Sequence, residues 1–502
     1  IINGKEKVIL SQETKVNDIM YIYKGYEENV KLQAIIKSVS TQGFQSSRTN
    51  EIKLIRQSIN PLKDSTNIQT RLVVRILDIN IPIPLFVLLR ALSDQTDKHL
   101  FDKIIYPTDT SLLRQSMFDL LKFSHKEAKA FQSRYQAYQY LAMFTKGKDV
   151  INIVDIFQNN LLPNYGADTS QKVDVLCYTV RKLLLTYLGV LKHVDRDSYQ
   201  YKRVDTSGSL LLELYRELWN KFKKQLSLKI DKEYKFTFDK TEGQIETLIN
   251  PSNLHAMFDV SIMDTLMKSF GSRFGTGISA RQGIVQDLNR NCMLGTLSHI
   301  RRLVTPLASG SKAVGPRKLH GSQWGFVCPT ESPDGGNTGI INHLTIISDI
   351  TLTQSEKPLL LALQDLDMIS LQDSVSTDLS YTKVFLNGKW IGLHKNPVEL
   401  EEDLKLMKLN SFIHIHTSIR WNRKTDEIHL FSDRGRIIRP VFKLYNGTNR
   451  LLETGHMVGT WNEAILGYMI KKVKTIEDTN TYFQKDYLDL RKRDDFRDIL
   501  KT

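Results

Sequence analysis

Between Leu288 and Thr330 the sequence carries six cations and no Asp or Glu in 43 residues; the cations are Arg290, Arg301, Arg302, Lys312, Arg317 and Lys318. Charged residues make up 25% of the whole chain, so this acid-free run departs from its surroundings. A carboxylate beside a phosphate backbone costs energy, whereas Lys and Arg release counterions and form charge-assisted hydrogen bonds. The run therefore suits a polyanion, and the same composition also fits an ordinary basic surface loop. Ser309-Gly310-Ser311-Lys312 reads as a mobile loop with a cation at its tip, and the Pro316 ring restricts the backbone entering Arg317-Lys318. Glu331 is the first acid after the run, in a tight path with two prolines and four glycines from Gly325 to Gly339. A lone carboxylate there can meet a cation, a metal-bound nucleotide or simply Arg317.

Those residues need elements to hold them. Residues 271–350 are rich in Gly, Pro and Arg, but Phe274, Leu297, Leu303, Trp324 and Phe326 argue for a shaped region rather than a linker. The first 60 residues read as strand-rich, and about 85–226 as helical. Leu176, Val180, Leu183, Leu184, Tyr187 and Leu188 recur at helical spacing as one apolar face. A second helix opens near Ser207-Gly208 and turns Leu211, Leu214, Leu218 and Phe222 to one side. From about 380 a small mixed α/β domain is expected. Asn387-Gly388 between Val384-Phe385-Leu386 and Lys389-Trp390-Ile391 predicts a hairpin, because that dipeptide tolerates positive φ. Asn396-Pro397 predicts a helix start, and strands are expected around Ile413–Ile419 and Ile437–Phe442.

Composition sets outer bounds. A chain of 502 residues exceeds one ordinary core, so two to four domains are expected. Lys and Arg total 69 against 55 Asp and Glu, a net charge of +14, which favours nucleic acid first and acidic membrane surfaces second. Three scattered cysteines form no Cys-x-x-Cys pair, so neither zinc nor a disulfide framework is expected in this segment, which suits a reducing, intracellular setting. In that setting the Asn446-Gly447-Thr448 sequon is chance. The most apolar run, Ile79 to Leu92, is broken by Asn80, Pro82, Pro84 and Arg90 and does not predict a membrane span. The opening Ile1-Ile2-Asn3 reads as an internal segment of something longer.

Three blocks together are distinctive: Gly315-Pro316-Arg317-Lys318-Leu319-His320, Ser322-Gln323-Trp324-Gly325, and Cys328-Pro329-Thr330-Glu331-Ser332-Pro333-Asp334-Gly335-Gly336-Asn337. They resemble the fork region of the second-largest, beta-type subunit of multisubunit DNA-dependent RNA polymerases. Asp195-Arg196-Asp197 with Lys202-Arg203-Val204-Asp205, Val384 to Pro397, and Asp433 to Pro440 resemble further stretches of that family in the same order, as does the strand Ile1 to Val8. Ser332, Asp334 and Gly336 stand where the family more usually has Thr, Glu, and Gln or Pro, which suits a divergent, viral or organellar lineage.

The resemblance implies a multidomain α+β fold with a helix-rich lobe, an irregular fork region and a small mixed α/β external domain. It divides the chain into the end of a protrusion-like segment (1–15), the lobe (16–207), a return segment of the protrusion (208–270), the fork region (271–350), the external domain (351–453) and a charged C-terminal extension (454–502). It implies that Gln286, Asn289, His299 and Arg302 fall along the RNA path, that Arg301 also binds nucleic acid, and that Lys312 lies at a fork-loop tip near downstream duplex. Arg317 and Lys318 would contact nucleic acid or order the loop, Glu331 would lie near the metal–nucleotide site and Asn337 near the RNA end. The family's Mg2+ ions are held mainly by the largest subunit, so the implied partners are that subunit, smaller assembly subunits, DNA, RNA and nucleoside triphosphates, in the nucleus, the cytoplasm or a viral factory. The lysine-bearing motif of the hybrid-binding part and the C-terminal zinc module are not found, so this segment alone is not expected to polymerise RNA.

Rival readings stay open on the residues themselves. A non-catalytic nucleic-acid-binding relative fits the charge and the basic loop equally well. A metal-dependent nuclease would need clustered acids near the basic run, which lacks them. His414 and His416 are expected to share a strand face without a third metal ligand, Asp195 and Asp197 to join a structural ion-pair network, and Trp390 to be a hairpin core residue.

Overall fold

The computed structural model describes residues 1–40, 47–58, 68–241, 262–271, 273–275, 281–307, 311–372, 380–441, 444–445 and 448–449. The fold is multidomain α+β, and the chain divides into two compact units, each built from separated stretches. Among the described residues no helix is long and apolar enough to cross a membrane.

The first unit comprises Ile1–Val16, Arg196–Leu352 and Arg434–Pro440. Its four-stranded sheet runs Ile341–His343, Arg302–Val304, Ser11–Lys15, Lys202–Asp205. Arg302–Val304 is antiparallel to Ile341–His343 and parallel to Ser11–Lys15. Beneath it Val204, Leu303 and Val327 form a small core. Gly435, at φ +80°, lies so close to this sheet that a Cβ would come within 2.5 Å of the Val204 carbonyl oxygen; only glycine fits. A 35-residue helix, Ser207–Thr241, buries Leu214 and Leu218 against Phe274 and Ile284. Lys7–Ile9 pairs antiparallel with Val285–Asp287.

The second unit comprises Asn17–Asp195, Thr353–Asp433 and the chain from Val441. A five-stranded sheet begins Met20–Lys24, Val30–Ser38, Arg48–Ser58 and packs on a set of helices from Leu85–Leu92 to Thr169–Tyr187. The expected face of Thr169–Tyr187 is buried, but so are Lys172, Asp174, Tyr178 and Arg181 on its other sides, so this is a central helix rather than an amphipathic surface one. The predicted hairpin forms between Thr382–Leu386 and Lys389–His394, with φ +49° at Asn387 and +85° at Gly388. Asn396 caps Pro397–Leu409 as expected. Trp390 is a core residue, 1% exposed, and its backbone N–H donates to the Tyr165 hydroxyl at 2.8 Å.

Two expectations need correction. The strand expected around Ile413–Ile419 is Ser418–Asn422; residues 411–417 form turns, so His414 and His416 sit in a turn with ring centroids 5.3 Å apart. The cause is Ile413, which is buried by packing with the Pro397–Leu409 helix, while Ile415 faces solvent. The strand expected over Ile437–Phe442 is Ile437–Ile438; Phe442, most of the sequon and the charged stretch 454–502 lie outside the described residues.

Strand Glu427–Phe431 pairs in parallel with Thr382–Leu386, and a buried carboxylate joins it to the Thr169–Tyr187 helix. Glu427, 2% exposed, accepts hydrogen bonds from Tyr178 Oη at 2.5 Å, Lys182 Nζ at 2.8 Å, Thr425 Oγ1 at 2.8 Å and His429 Nε2 at 3.2 Å. Burial raises its pKa, but the Lys182 charge and the His429 contact outweigh burial and hold it well below the ordinary range. Its stabilisation is therefore complete above the unfolded carboxyl value and lost as pH falls through the folded one. Glu427→Ala strands Lys182 and should cost roughly 3–5 kcal/mol. The measurement is the urea midpoint of the transition that quenches Trp390 fluorescence.

Candidate nucleic-acid interface

The acid-free run is folded around the strand pair Arg302–Val304 and Ile341–His343. The short helix Met293–Ile300 precedes it, with Cys292 Sγ accepting the Gly295 N–H at 3.2 Å as its cap. This helix exposes Met293, Leu294, Leu297 and Ile300 and turns His299 inward to 4% exposure.

Gln286, Asn289 and His299 are brought together. The Asn289 backbone N–H donates to His299 Nδ1 at 3.1 Å, so the ring proton sits on Nε2, which donates to Gln286 Oε1 at 3.0 Å. The Asn289 side chain accepts the Asn291 N–H at 2.9 Å. Burial, and then the Arg302 and His343 charges, push the His299 pKa below its ordinary value. The neutral ring is thus the folded form, and this local structure is fully present above the unfolded pKa and lost as pH falls through the lowered one. His299→Ala should abolish that acid-side opening, and hydrogen exchange of the Asn289 amide at falling pH measures it.

Neighbouring arginines have different fates. Arg301 Nη2 donates to the carbonyls of Thr345 at 2.6 Å and Ser348 at 2.9 Å, clamping that turn. Arg302 Nε donates to His343 Nε2 at 3.1 Å. Glu331, nearly half exposed, does not take Arg317 as partner: its carboxylate accepts the Ser298 hydroxyl and lies 3.6 Å from His343 Nε2.

Arg317 closes the Gly315–Arg317 turn and donates to the carbonyls of Gly336 at 2.7 Å, Thr338 at 2.9 Å and Ser311 at 3.0 Å. Gly339 makes this possible, since at φ +70° its Cβ would fall 2.3 Å from the Arg317 carbonyl oxygen. Lys312, Lys318 and Asn337 are exposed, and Lys318 lines a small polar cleft with Glu13, Asp197, Lys202, Gln323 and Asn342. Ser309 and Gly310 of the expected loop lie outside the described residues. Among the described residues no group of three or more His, Cys, Asp or Glu could hold a metal ion. Sequence reasoning missed Ser298 and His343, because only strand register sets His343 opposite Arg302. Arg317→Ala frees three carbonyls and should raise proteolytic nicking of 311–339 severalfold.

Three stretches of the chain match one family in order: RNA polymerase Rpb2, domain 2 at residues 7–205, domain 3 at 286–350 and domain 4 at 384–444. The chain is 30% identical over 465 residues to DNA-directed RNA polymerase II subunit RPB2 of Encephalitozoon cuniculi, covering 88% of this chain and 38% of that protein. It is 27% identical to subunit Rpo2 of Sulfolobus acidocaldarius, covering 98% of this chain and 43% of the relative. It is 26% identical to DNA-directed RNA polymerase subunit 2 of Acanthamoeba polyphaga mimivirus, covering 96% and 41%. A basic, acid-free run on a mixed α+β frame, with these three matches in order, defines a segment of the multisubunit RNA polymerase family. The chain belongs to the family of the second-largest, beta-type subunit, and it spans less than half the length of the curated relatives it matches.

Proposed function

We propose that this chain is the part of a beta-type subunit that forms one wall of the active-centre cleft of a DNA-directed RNA polymerase. There it contacts downstream DNA and the RNA–DNA hybrid. The observation that carries this reading is the acid-free run 288–330, which leads directly into Glu331 and lies within the matched stretch 286–350. Lys312 and Lys318 offer exposed cations to phosphates, and Asn337 an exposed amide. Gln286, Asn289, His299 and Arg302 shape the surface beside them, while Arg301 and Arg317 fix the loops that carry it. On this reading 16–207 is the lobe, 271–350 the fork and 351–453 the external domain.

The chemistry also needs Mg2+. Bound Mg2+ activates the RNA 3′-hydroxyl and neutralises triphosphate charge, and in this assembly it is held mainly by the largest subunit. Glu331 is a single exposed carboxylate, suited to approaching a metal-bound nucleotide from outside rather than to chelating an ion. The segment is therefore active only with the largest subunit and smaller assembly subunits, inside the cell, in nucleus, cytoplasm or viral factory. Glu331→Gln in the full-length subunit, reassembled with its partners, should slow single-nucleotide incorporation about tenfold and leave assembly intact. Unchanged incorporation, or loss of assembly, would overturn this role.

A further inference from the structure

We propose that His343, with Ser298, is a positioning residue for Glu331, and that its protonation exchanges Arg302 for Glu331 as partner. The inference rests on the reading of Glu331 given above and deepens it by assigning that site a proton-controlled state. The Glu331 backbone carbonyl lies 2.9 Å from His343 Nδ1, and a carbonyl can only accept, so Nδ1 carries the proton. Arg302 Nε lies 3.1 Å from His343 Nε2, and a guanidinium can only donate, so Nε2 is bare. Two obligate partners thus fix the neutral ring in one tautomer. The ring is 5% exposed, and strand register holds it opposite Arg302.

A second proton can go only to Nε2. It removes the acceptor that holds Arg302 and makes an imidazolium that faces the Glu331 carboxylate, 3.6 Å away. The Ser298 hydroxyl already holds that carboxylate oxygen from the opposite element. The groups facing His343 are then Arg302 from the neighbouring strand, Glu331 from the loop before it and His299 from the Met293–Ile300 helix. In the neutral state Arg302 is docked and Glu331 keeps its full charge toward the cleft. In the protonated state Glu331 is neutralised by the ring, and Arg302, half-buried beside it, is released toward nucleic acid.

The test uses the complete polymerase carrying His343→Asn, Glu331→Gln or both, with single-nucleotide incorporation measured from about pH 8 to about pH 5.5. Asn can still donate to the Glu331 carbonyl but cannot charge. The wild type should lose kcat on the acid side with less change in KM. H343N should flatten that acid limb and should fall roughly three- to tenfold at neutral pH. In the double variant H343N should add almost nothing to E331Q, the non-additivity expected of a residue acting through another. A wild-type pH profile in H343N, or additive effects, overturns the proposal. If E331Q itself has no effect, the underlying reading of Glu331 fails and the proposal falls with it. Should H343N not assemble, Ser298→Ala must show the same slowing and the same non-additivity with E331Q, and additivity there overturns the proposal equally.

Discussion

Backbone pairing across one three-residue strand, Arg302–Val304, organises the first unit. On one edge it meets Ile341–His343 and on the other, in parallel, Ser11–Lys15. Parallel partners cannot be joined by a tight turn, so this contact ties residues nearly three hundred positions apart. Leu303 is buried, Arg302 reaches His343 on the neighbouring strand, and Arg301, just before the strand, reaches the Thr345 carbonyl. The Glu331 loop is tied to the partner strand Ile341–His343 through its carbonyl and His343 Nδ1, and the Gly315–Arg317 turn is tied to the following loop by Arg317 and the carbonyls of Gly336 and Thr338.

That dependence explains why the cations of the acid-free run are not equivalent. Charge alone would aim all of them at phosphate. Arg301 and Arg317 instead spend their fixed forks on backbone carbonyls, which an ammonium could satisfy less well. The lysines, flexible and strongly hydrated, stay exposed. Planar donors hold the loop shape and point charges face outward, a division by residue type within one basic patch.

The sequence was legible where local rules decide. Asn387-Gly388 needs positive φ and has it, Asn396 caps its helix, and Trp390 lies in the core. The blocks around Trp324 and Glu331 led to the family. Local rules failed where a distant element decides. Ile413 alternates like a strand residue yet is buried by a helix. The Thr169–Tyr187 helix shows one apolar stripe yet is buried on its polar sides too, because Lys182 and Tyr178 meet Glu427 about 245 residues later. Sequence reasoning did not single out His343, and only strand register puts it against Arg302. The helix and His343 concern pairings between positions far apart, and Ile413 folds back onto the helix just before it; periodicity encodes neither.

The two longest described stretches of the second unit, Asn17–Asp195 and Thr353–Asp433, are separated in the chain by Arg196–Leu352 of the first unit. On the ribosome, Tyr178 and Lys182 emerge long before Glu427 exists to receive them, about 245 residues ahead. At about 5–20 residues per second that interval is roughly 10–50 s. For that time the nascent helix carries a lysine and aromatic rings fitted to a sheet that has not been made. Translation speed and chaperone cover across the intervening stretch thereby become part of how this subunit reaches its native state.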